Sequence, residues 1–199
     1  EETALSPLME KPAFLDEGKE ASAVERGTAA HAVLQHLDLT RKLDSSGIAL
    51  QIKEMVEREI LSPKEASLVN AEKIAAFFRT PLGKRLLAQA PSRVFREVPF
   101  TLGLPAGAVY PDLSQDESSG EKVLVQGVID CIIEEEDGCV LIDFKSDDVG
   151  EREKLKKRAE EYRPQMVFYA EALRNIWNKP VKEAYLYFLS AEEAVKIKL

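Results

Sequence analysis

Cysteine is scarce in this sequence: Cys131 and Cys139 are the only two in 199 residues. That excludes a disulfide scaffold, an all-cysteine zinc site and an iron–sulfur cluster with the usual four ligands. It fits a reducing, intracellular setting, and a cytoplasmic protein is expected. Long apolar runs are missing too. Val123–Ile133, among the longest, is interrupted by Gln126 and Asp130 and falls far short of the ~20 residues that span a bilayer, so no membrane partner is expected. Positive charge is in deficit: 27 Lys and Arg stand against 35 Asp and Glu, a net charge of -8. Proteins that coat nucleic acid by bulk electrostatics usually have a high pI, so any such contact has to be local. No G-x-x-x-x-G-K-[ST] phosphate loop occurs, and the chain is therefore not itself an ATP-driven motor. It opens on Glu1-Glu2-Thr3 with neither an initiator Met nor a signal pattern, which leads to the expectation of a piece of a longer polypeptide.

What is present is enough apolar residue, 45% of the chain, to bury one substantial core, and the length favours a single domain over residues 1–199. A helical segment is expected over about 20–90 and a sheet core over about 92–199. From Ala21 to Leu39 the residues Val24, Ala30, Val33, Leu34 and Leu37 recur at helical spacing. Between Gly47 and Ala90, Ser62-Pro63-x-Glu65 is a capping box and Thr80-Pro81 a second start signal, giving three helices in a row. At Ser92–Leu102 the period changes to two, and Pro99 suits an edge or strand end. Residues Pro111–Lys122 read as a surface loop. Val123–Ile133 and Cys139–Lys145 are apolar on both alternating faces, as central strands are, with Asp137-Gly138 as the turn. A charged helical stretch follows from about Glu151, Pro164 opens a helix to about Trp177, and Val181–Leu189 is a last strand. The order of elements is α/β, with a mixed central sheet flanked by helices.

Two aspartates stand in the hairpin where an ionised side chain costs several kcal/mol unless it is paired or bound to a cation: Asp130 in VQGVIDCII and Asp143 in VLIDFKS. With a turn of Asp137-Gly138, Asp130 lies opposite Lys145; with a loop of Glu135–Gly138, it lies opposite Asp143. Either even-numbered loop puts Asp130, Asp143 and Lys145 on one face, while an odd loop or a bulge reverses the parity. Neighbours roughly 4.5–8 Å apart on such a face can share one hard cation, and Lys145 can balance charge, orient a water or stabilise a developing phosphorane. A plain buried ion pair of one aspartate with Lys145 is the simpler reading, but it leaves the second aspartate unexplained.

His31 lies inward on the first helix beside Val24 and Leu34, four residues from Gly27, which lets another backbone come close. By itself it reads as a hydrogen-bonded core histidine; next to the hairpin it is a ligand candidate. Gln165 and Tyr169 share a helix face, placed either for packing or for contact with a substrate phosphate or base. Lys154, Lys156, Lys157, Arg158 and Arg163 form the one local basic cluster, interleaved with Glu151, Glu153, Glu160 and Glu161 as in a solvated face.

Taken in order, Gly27-x-x-x-His31, Gly127-x-x-Asp130, Asp143-Phe144-Lys145 and Gln165-x-x-x-Tyr169 resemble the RecB-type nucleases of the PD-(D/E)xK superfamily, over about Arg26 to Tyr169. The resemblance implies a restriction-endonuclease-like core with an N-terminal helical segment. It also implies Mg²⁺, or Mn²⁺, held by His31, Asp130, Asp143 and the backbone carbonyl of Phe144. Lys145 then helps position the attacking water, Gln165 and Tyr169 shape the site and touch the substrate strand, and Glu97 of REVPF falls near a further acidic position of the family. The catalytic set on this reading is Asp130, Asp143 and Lys145. Implied partners are DNA, helicase domains of the same polypeptide, through which alone ATP enters, and a second helicase/nuclease subunit. The setting is double-strand break repair in a bacterial cytoplasm, at the nucleoid. Relatives that carry a cysteine-bound iron–sulfur cluster are excluded by the missing cysteines. The rival from another class is a nuclease fold kept without catalysis, to guide DNA or dock a partner protein. Hydrolysis of RNA or of a smaller phosphoester would use the same metal chemistry with a different groove.

Overall fold

The computed structural model describes residues 22–105, 122–150 and 152–199; the expected loop at Pro111–Lys122 lies, but for Lys122, outside them. The chain begins with a helix, α1 (Ala23–His36). Its start is a capping box in which Ser22 and Glu25 satisfy each other's backbone N–H groups at 3.1 and 2.8 Å. Its end is tied down from the sheet: Arg96 donates one guanidinium nitrogen to the carbonyls of Leu34 and Leu37, at 2.8 and 2.7 Å. The inward face carries Gly27, Ala30, Val33 and Leu34. Val24, counted into that stripe by its spacing, is 71% exposed.

Four helices follow, not three: α2 (Ser45–Glu57), α3 (Pro63–Leu68), α4 (Ala71–Arg79) and α5 (Pro81–Leu87). The Ser62-Pro63 and Thr80-Pro81 starts hold as expected. The extra break comes at Asn70, whose side chain accepts from the N–H groups of Glu72 and Lys73 and opens α4.

Five strands form one mixed sheet in chain order: β1 (Val94–Pro105), β2 (Lys122–Glu135), β3 (Gly138–Lys145), β4 (Val181–Phe188) and β5 (Glu193–Ile197). Neighbours are antiparallel except β3 and β4, which are parallel. That parallel pair needs a crossover, supplied by the 26-residue helix α6 (Arg152–Trp177). Pro164 lies inside α6 and does not open a second helix. Leu155, Ala159, Met166, Tyr169, Ala170 and Leu173 make one buried stripe that runs past the proline, and packing on the sheet outweighs the lost backbone bond. The β2–β3 turn is Glu136-Asp137, one residue earlier than expected, with Gly138 opening β3 at φ 146° against the carbonyl of Pro180. β5 had no signal: EAVKI is short and carries charge at both Glu193 and Lys196.

The sheet separates two cores. Cys131, Ile133, Val140, Ile142, Phe144 and Tyr187 pack against α1, α2, α4 and α5. Ile129, Ile132, Leu141, Leu186 and Phe188 pack against α6. Phe77 of α4 anchors the first core with edge-to-face contacts to Phe144 and Tyr187, ring centroids 5.0 and 4.9 Å away, each such pair contributing roughly 0.5–1.5 kcal/mol beyond its buried area.

Arg85 of α5 clamps the helical segment to the sheet. It holds Glu135 at the end of β2 in a two-pronged ion pair, 2.7 and 2.9 Å, and Glu183 of β4 at 2.9 Å. The Arg85 guanidinium, with Lys182 beside it, holds the Glu135 carboxyl at about 2. Because the folded value lies below the unfolded one, this stabilisation is present above about pH 4.5 and is lost as pH falls toward 2. We therefore expect Arg85→Met to lower stability at neutral pH by about 1 kcal/mol and to flatten the acid limb. Denaturant midpoints at neutral pH and near pH 3 check this; parallel acid limbs in the two proteins would assign the acid sensitivity elsewhere.

Candidate metal centre

The site forms where the sheet stops being regular. In β1 and β2, Glu97 and Asp130 occupy facing positions of an otherwise unbroken register, between the pairs Arg96↔Cys131 and Val98↔Ile129. Glu97 has φ 52°, left-handed backbone unusual for a residue with a side chain. The sheet changes face there. Phe95 and Val98, three apart, both pack toward α6, as do Ile129 and Ile132, whereas strict alternation would put the members of each pair on opposite sides. At the same point β2 leaves β3: their pairing runs from Glu135↔Gly138 only as far as Cys131↔Ile142. Beyond it, the amide of Phe144 on β3 donates to the Asp130 carboxylate at 2.7 Å.

The even-numbered turn puts Asp130 opposite Asp143 if the register is extended by one place. Asp143 and Lys145 alternate with Phe144, whose ring lies in the α1-side core, so both point toward α6. Asp130 stands at the switch between the faces, so the three do not simply line one side. It reaches toward α1, where His31 Nδ1 lies 3.5 Å from Asp130 Oδ2 and 3.8 Å from Glu97 Oε1. The other imidazole nitrogen, Nε2, donates to the Phe144 carbonyl at 2.9 Å, which fixes the tautomer if the ring is neutral. On the α6 side the Lys145 ammonium sits 2.8 Å from Asp143 Oδ2 and donates to Gln165 Oε1 at 2.9 Å. Gln165 in turn donates to the Tyr169 hydroxyl at 2.6 Å. The seven expected residues thus fall in two contact groups on either side of β3: His31 with Asp130 and the Phe144 backbone toward α1, and Asp143, Lys145, Gln165 and Tyr169 toward α6.

Two glycines make this approach possible. A Cβ on Gly27 would meet Ser146 Oγ at 2.7 Å, so α1 packs against the hydroxyl that follows β3, a side chain and not the backbone expected. A Cβ on Gly127 would meet the Phe100 ring at 2.8 Å; that ring packs edge-to-face on Tyr169.

The charges do not balance. Glu97, Asp130 and Asp143 face one ammonium and one imidazole. Burial and the Asp130 charge push the Asp143 carboxyl up to about 6, and the same two causes raise Glu97. Burial pulls His31 down, but its hydrogen bond to Asp130 and the surrounding carboxylates more than offset that and leave it raised. Asp143 is 1% exposed, and its Oδ2 accepts no hydrogen bond, because Lys145 approaches outside hydrogen-bond geometry. A buried, under-satisfied carboxylate among like charges is the electrostatic condition that a bound cation relieves. One ligand atom each from His31, Glu97 and Asp130 lies within 4.8 Å of the others, a spacing that fits a single ion with oxygen-rich ligation. Glu97 thus joins the site by geometry, where the sequence placed it only through the family.

Two arginines of the basic cluster on α6 are engaged within the protein. Arg158 pairs with Asp147 and Glu161 at 2.8 and 2.7 Å, and Arg163 donates to the Lys198 carbonyl at 2.8 Å. Among the described residues, no helix is long and apolar enough to cross a membrane.

A splayed mixed sheet with an Asp-x-Lys strand at its opening is the core of a nuclease fold, and the chain belongs to the PD-(D/E)XK nuclease superfamily, which matches it over residues 8–198. It is 45% identical over 200 residues to one subunit of the ATP-dependent helicase/nuclease of Moorella thermoacetica, covering 98% of this chain and 14% of that protein. The same subunit from a Thermoanaerobacter species is 47% identical over 180 residues, 90% of this chain and 14% of the relative. For Clostridium botulinum the figures are 41% over 189 residues, 95% and 14%. The chain spans about one seventh of the length of these relatives.

The raised Asp143 carboxyl carries a stability consequence. Its folded value lies above the unfolded one, so the protein is favoured below about pH 4 and loses that advantage as pH rises through 6. In metal-free buffer near pH 7.5, Asp143→Asn is expected to raise stability by about 1–3 kcal/mol. Thermal denaturation in EDTA measures this, and a lower melting temperature than wild type would mean that the Lys145 pair outweighs the repulsion.

Proposed function

We propose that this chain is the nuclease domain, a single domain over residues 1–199, of a larger bacterial helicase/nuclease, and that it hydrolyses phosphodiester bonds of single-stranded DNA. The observation that carries this reading is the gathering of Asp130, Asp143, Lys145 and His31 where β2 leaves β3, with Asp143 Oδ2 buried and faced only by the Lys145 ammonium. His31, Asp130, Asp143 and the Phe144 carbonyl are the proposed ligands of Mg²⁺ or Mn²⁺, with Glu97 near enough to share the ion. When bound, such an ion polarises the scissile phosphate and lowers the pKa of water.

The residues themselves divide the remaining work. Asp130, oriented by the Phe144 amide, and Asp143, beside Lys145, present carboxylate oxygens to the ion. Lys145, held between Asp143 and Gln165, positions the attacking water and meets negative charge that builds on the phosphate. Gln165 and Tyr169 hold Lys145 on its α6 side and border the path of the substrate strand. Opening of β2 from β3 leaves the Phe144 carbonyl accessible from the α1 side, where His31 reaches it.

The relatives' names pair helicase with nuclease and include ATP. On that basis the strand is delivered by a motor elsewhere in the polypeptide, a second helicase/nuclease subunit completes the assembly, and the work is double-strand break repair in the cytoplasm. Strong negative charge on this domain supports the division, since affinity for the DNA backbone then rests mainly on the motor.

The test is cleavage of single-stranded DNA by the full-length complex with Mg²⁺ present. Asp143→Ala and Lys145→Ala are each expected to reduce turnover by about 10²–10³-fold or more, with ATP hydrolysis retained. Undiminished cleavage in both folded variants would reject the site, and cleavage of RNA in preference to DNA would redirect the substrate.

A further inference from the structure

Lys145 has a third contact, which neither the motif nor the ion pair explains. Its ammonium lies 4.0 Å from the centroid of the Tyr162 ring, within the range where a cation is drawn to the negative face of an aromatic ring. Tyr162 is three residues before Gln165 and seven before Tyr169, so α6 presents all three on the face turned to the sheet. The ring is itself held. Its hydroxyl donates to Asp147, 3.1 Å from Oδ2 and 3.2 Å from Oδ1, and accepts from Arg158 at 2.9 Å. Arg158 closes the triangle by donating to Asp147 at 2.9 Å, and its guanidinium lies 4.7 Å from the same ring centroid. Asp147 is fixed in turn, because its carbonyl accepts from the Ser190 hydroxyl beyond β4.

We infer that Tyr162 is a positioning residue for Lys145: its ring, clamped by Asp147 and Arg158, fixes the ammonium against Asp143 and Gln165. A lysine has four rotatable bonds and loses much freedom when its tip is fixed. Two polar contacts on neighbouring sides leave the tip free to swing away from the sheet. A ring on a further side closes that direction without a charge, so the clasp restrains the cation and adds no competing carboxylate. Aliphatic residues at position 162 would fill the volume but supply neither the quadrupole nor the hydroxyl. The basic residue Arg158 is thereby assigned to supporting the site and not to gripping the DNA backbone.

This inference rests on the proposed role of Lys145, and its test is read in two independent ways. Competitive acetylation of lysines in the full-length complex, followed by mass spectrometry, reads the clasp without any cleavage. Lys145 is expected to be protected in wild type, several-fold more reactive in Tyr162→Leu, and close to wild type in Tyr162→Phe, which keeps the ring. In the cleavage assay with saturating Mg²⁺, Tyr162→Leu is expected to lose about 10-fold in kcat with KM for DNA little changed, and Tyr162→Phe to recover most of that loss. Unchanged acetylation of Lys145 in a folded Tyr162→Leu protein overturns the inference, as does a loss confined to KM, or a Phe variant as impaired as the Leu variant. A wild-type complex that does not cleave at all would sink the proposed function, while the acetylation pattern would still decide the clasp.

Discussion

The structure around the site depends on one hydrogen bond: the Phe144 amide donating to the Asp130 carboxylate at 2.7 Å. A regular antiparallel ladder would supply a backbone carbonyl to that amide. Here β2 has already left β3, and a side chain takes the place of the missing strand. The exchange satisfies a buried donor that would otherwise cost about 1–3 kcal/mol. It also fixes Asp130 between the two faces of the sheet, 3.5 Å from His31 on α1. Everything else in the site hangs from β3, whose residues alternate about Phe144. The Phe144 ring is packed by Phe77 and Tyr187 in the α1-side core, and this forces Asp143 and Lys145 to the other side.

The same arrangement explains why the site is held under electrostatic strain. Three carboxylates gather against one ammonium and one imidazole, Asp143 is buried with Lys145 outside hydrogen-bond geometry, and Glu97 adopts left-handed backbone directly opposite Asp130. Each of these would be removed by selection for stability alone. They persist because the fold over-determines them: Arg96 ties the end of α1 to β1, Gly27 lets α1 seat against Ser146, and Gly127 lets Phe100 and Tyr169 close over β2. Rigid packing on both sides supplies the energy that the site spends.

Much of this was legible in the sequence, for identifiable reasons. Asp130 and Asp143 stood out because charge inside an apolar β-branched run is costly, and the capping signals at Ser62 and Thr80 act locally, so both survived folding. The α/β order and mixed sheet followed from periods of two and 3.6. What failed was non-local. A single shared face requires a regular pleat, and nothing in VFREVPF or VQGVIDCII announces the face switch at Glu97 and Asp130. Pro164 reads as a helix start by local chemistry, yet tertiary packing carries α6 through it. Tyr162 carried no motif, and only the folded chain brings Asp147 to its hydroxyl and Lys145 to its ring.

The charge pattern bears on the proposed separation of chemistry from grip. Its basic side chains near the site are committed inward: Arg96 to the end of α1, Arg158 to Asp147, Lys145 to Asp143. Arg85 and Lys182 are committed to Glu135 at the far end of β2. With a net charge of -8 and these five cations engaged, the domain releases few counterions from around its site when a phosphate backbone approaches, and such release is the main source of sequence-independent affinity for DNA. A centre built in this way gains more from acting on a strand threaded to it than from capturing one from solution. On the proposed reading, placing it in one seventh of a longer helicase/nuclease separates grip from chemistry, and the cutting site can remain acidic enough to hold its metal.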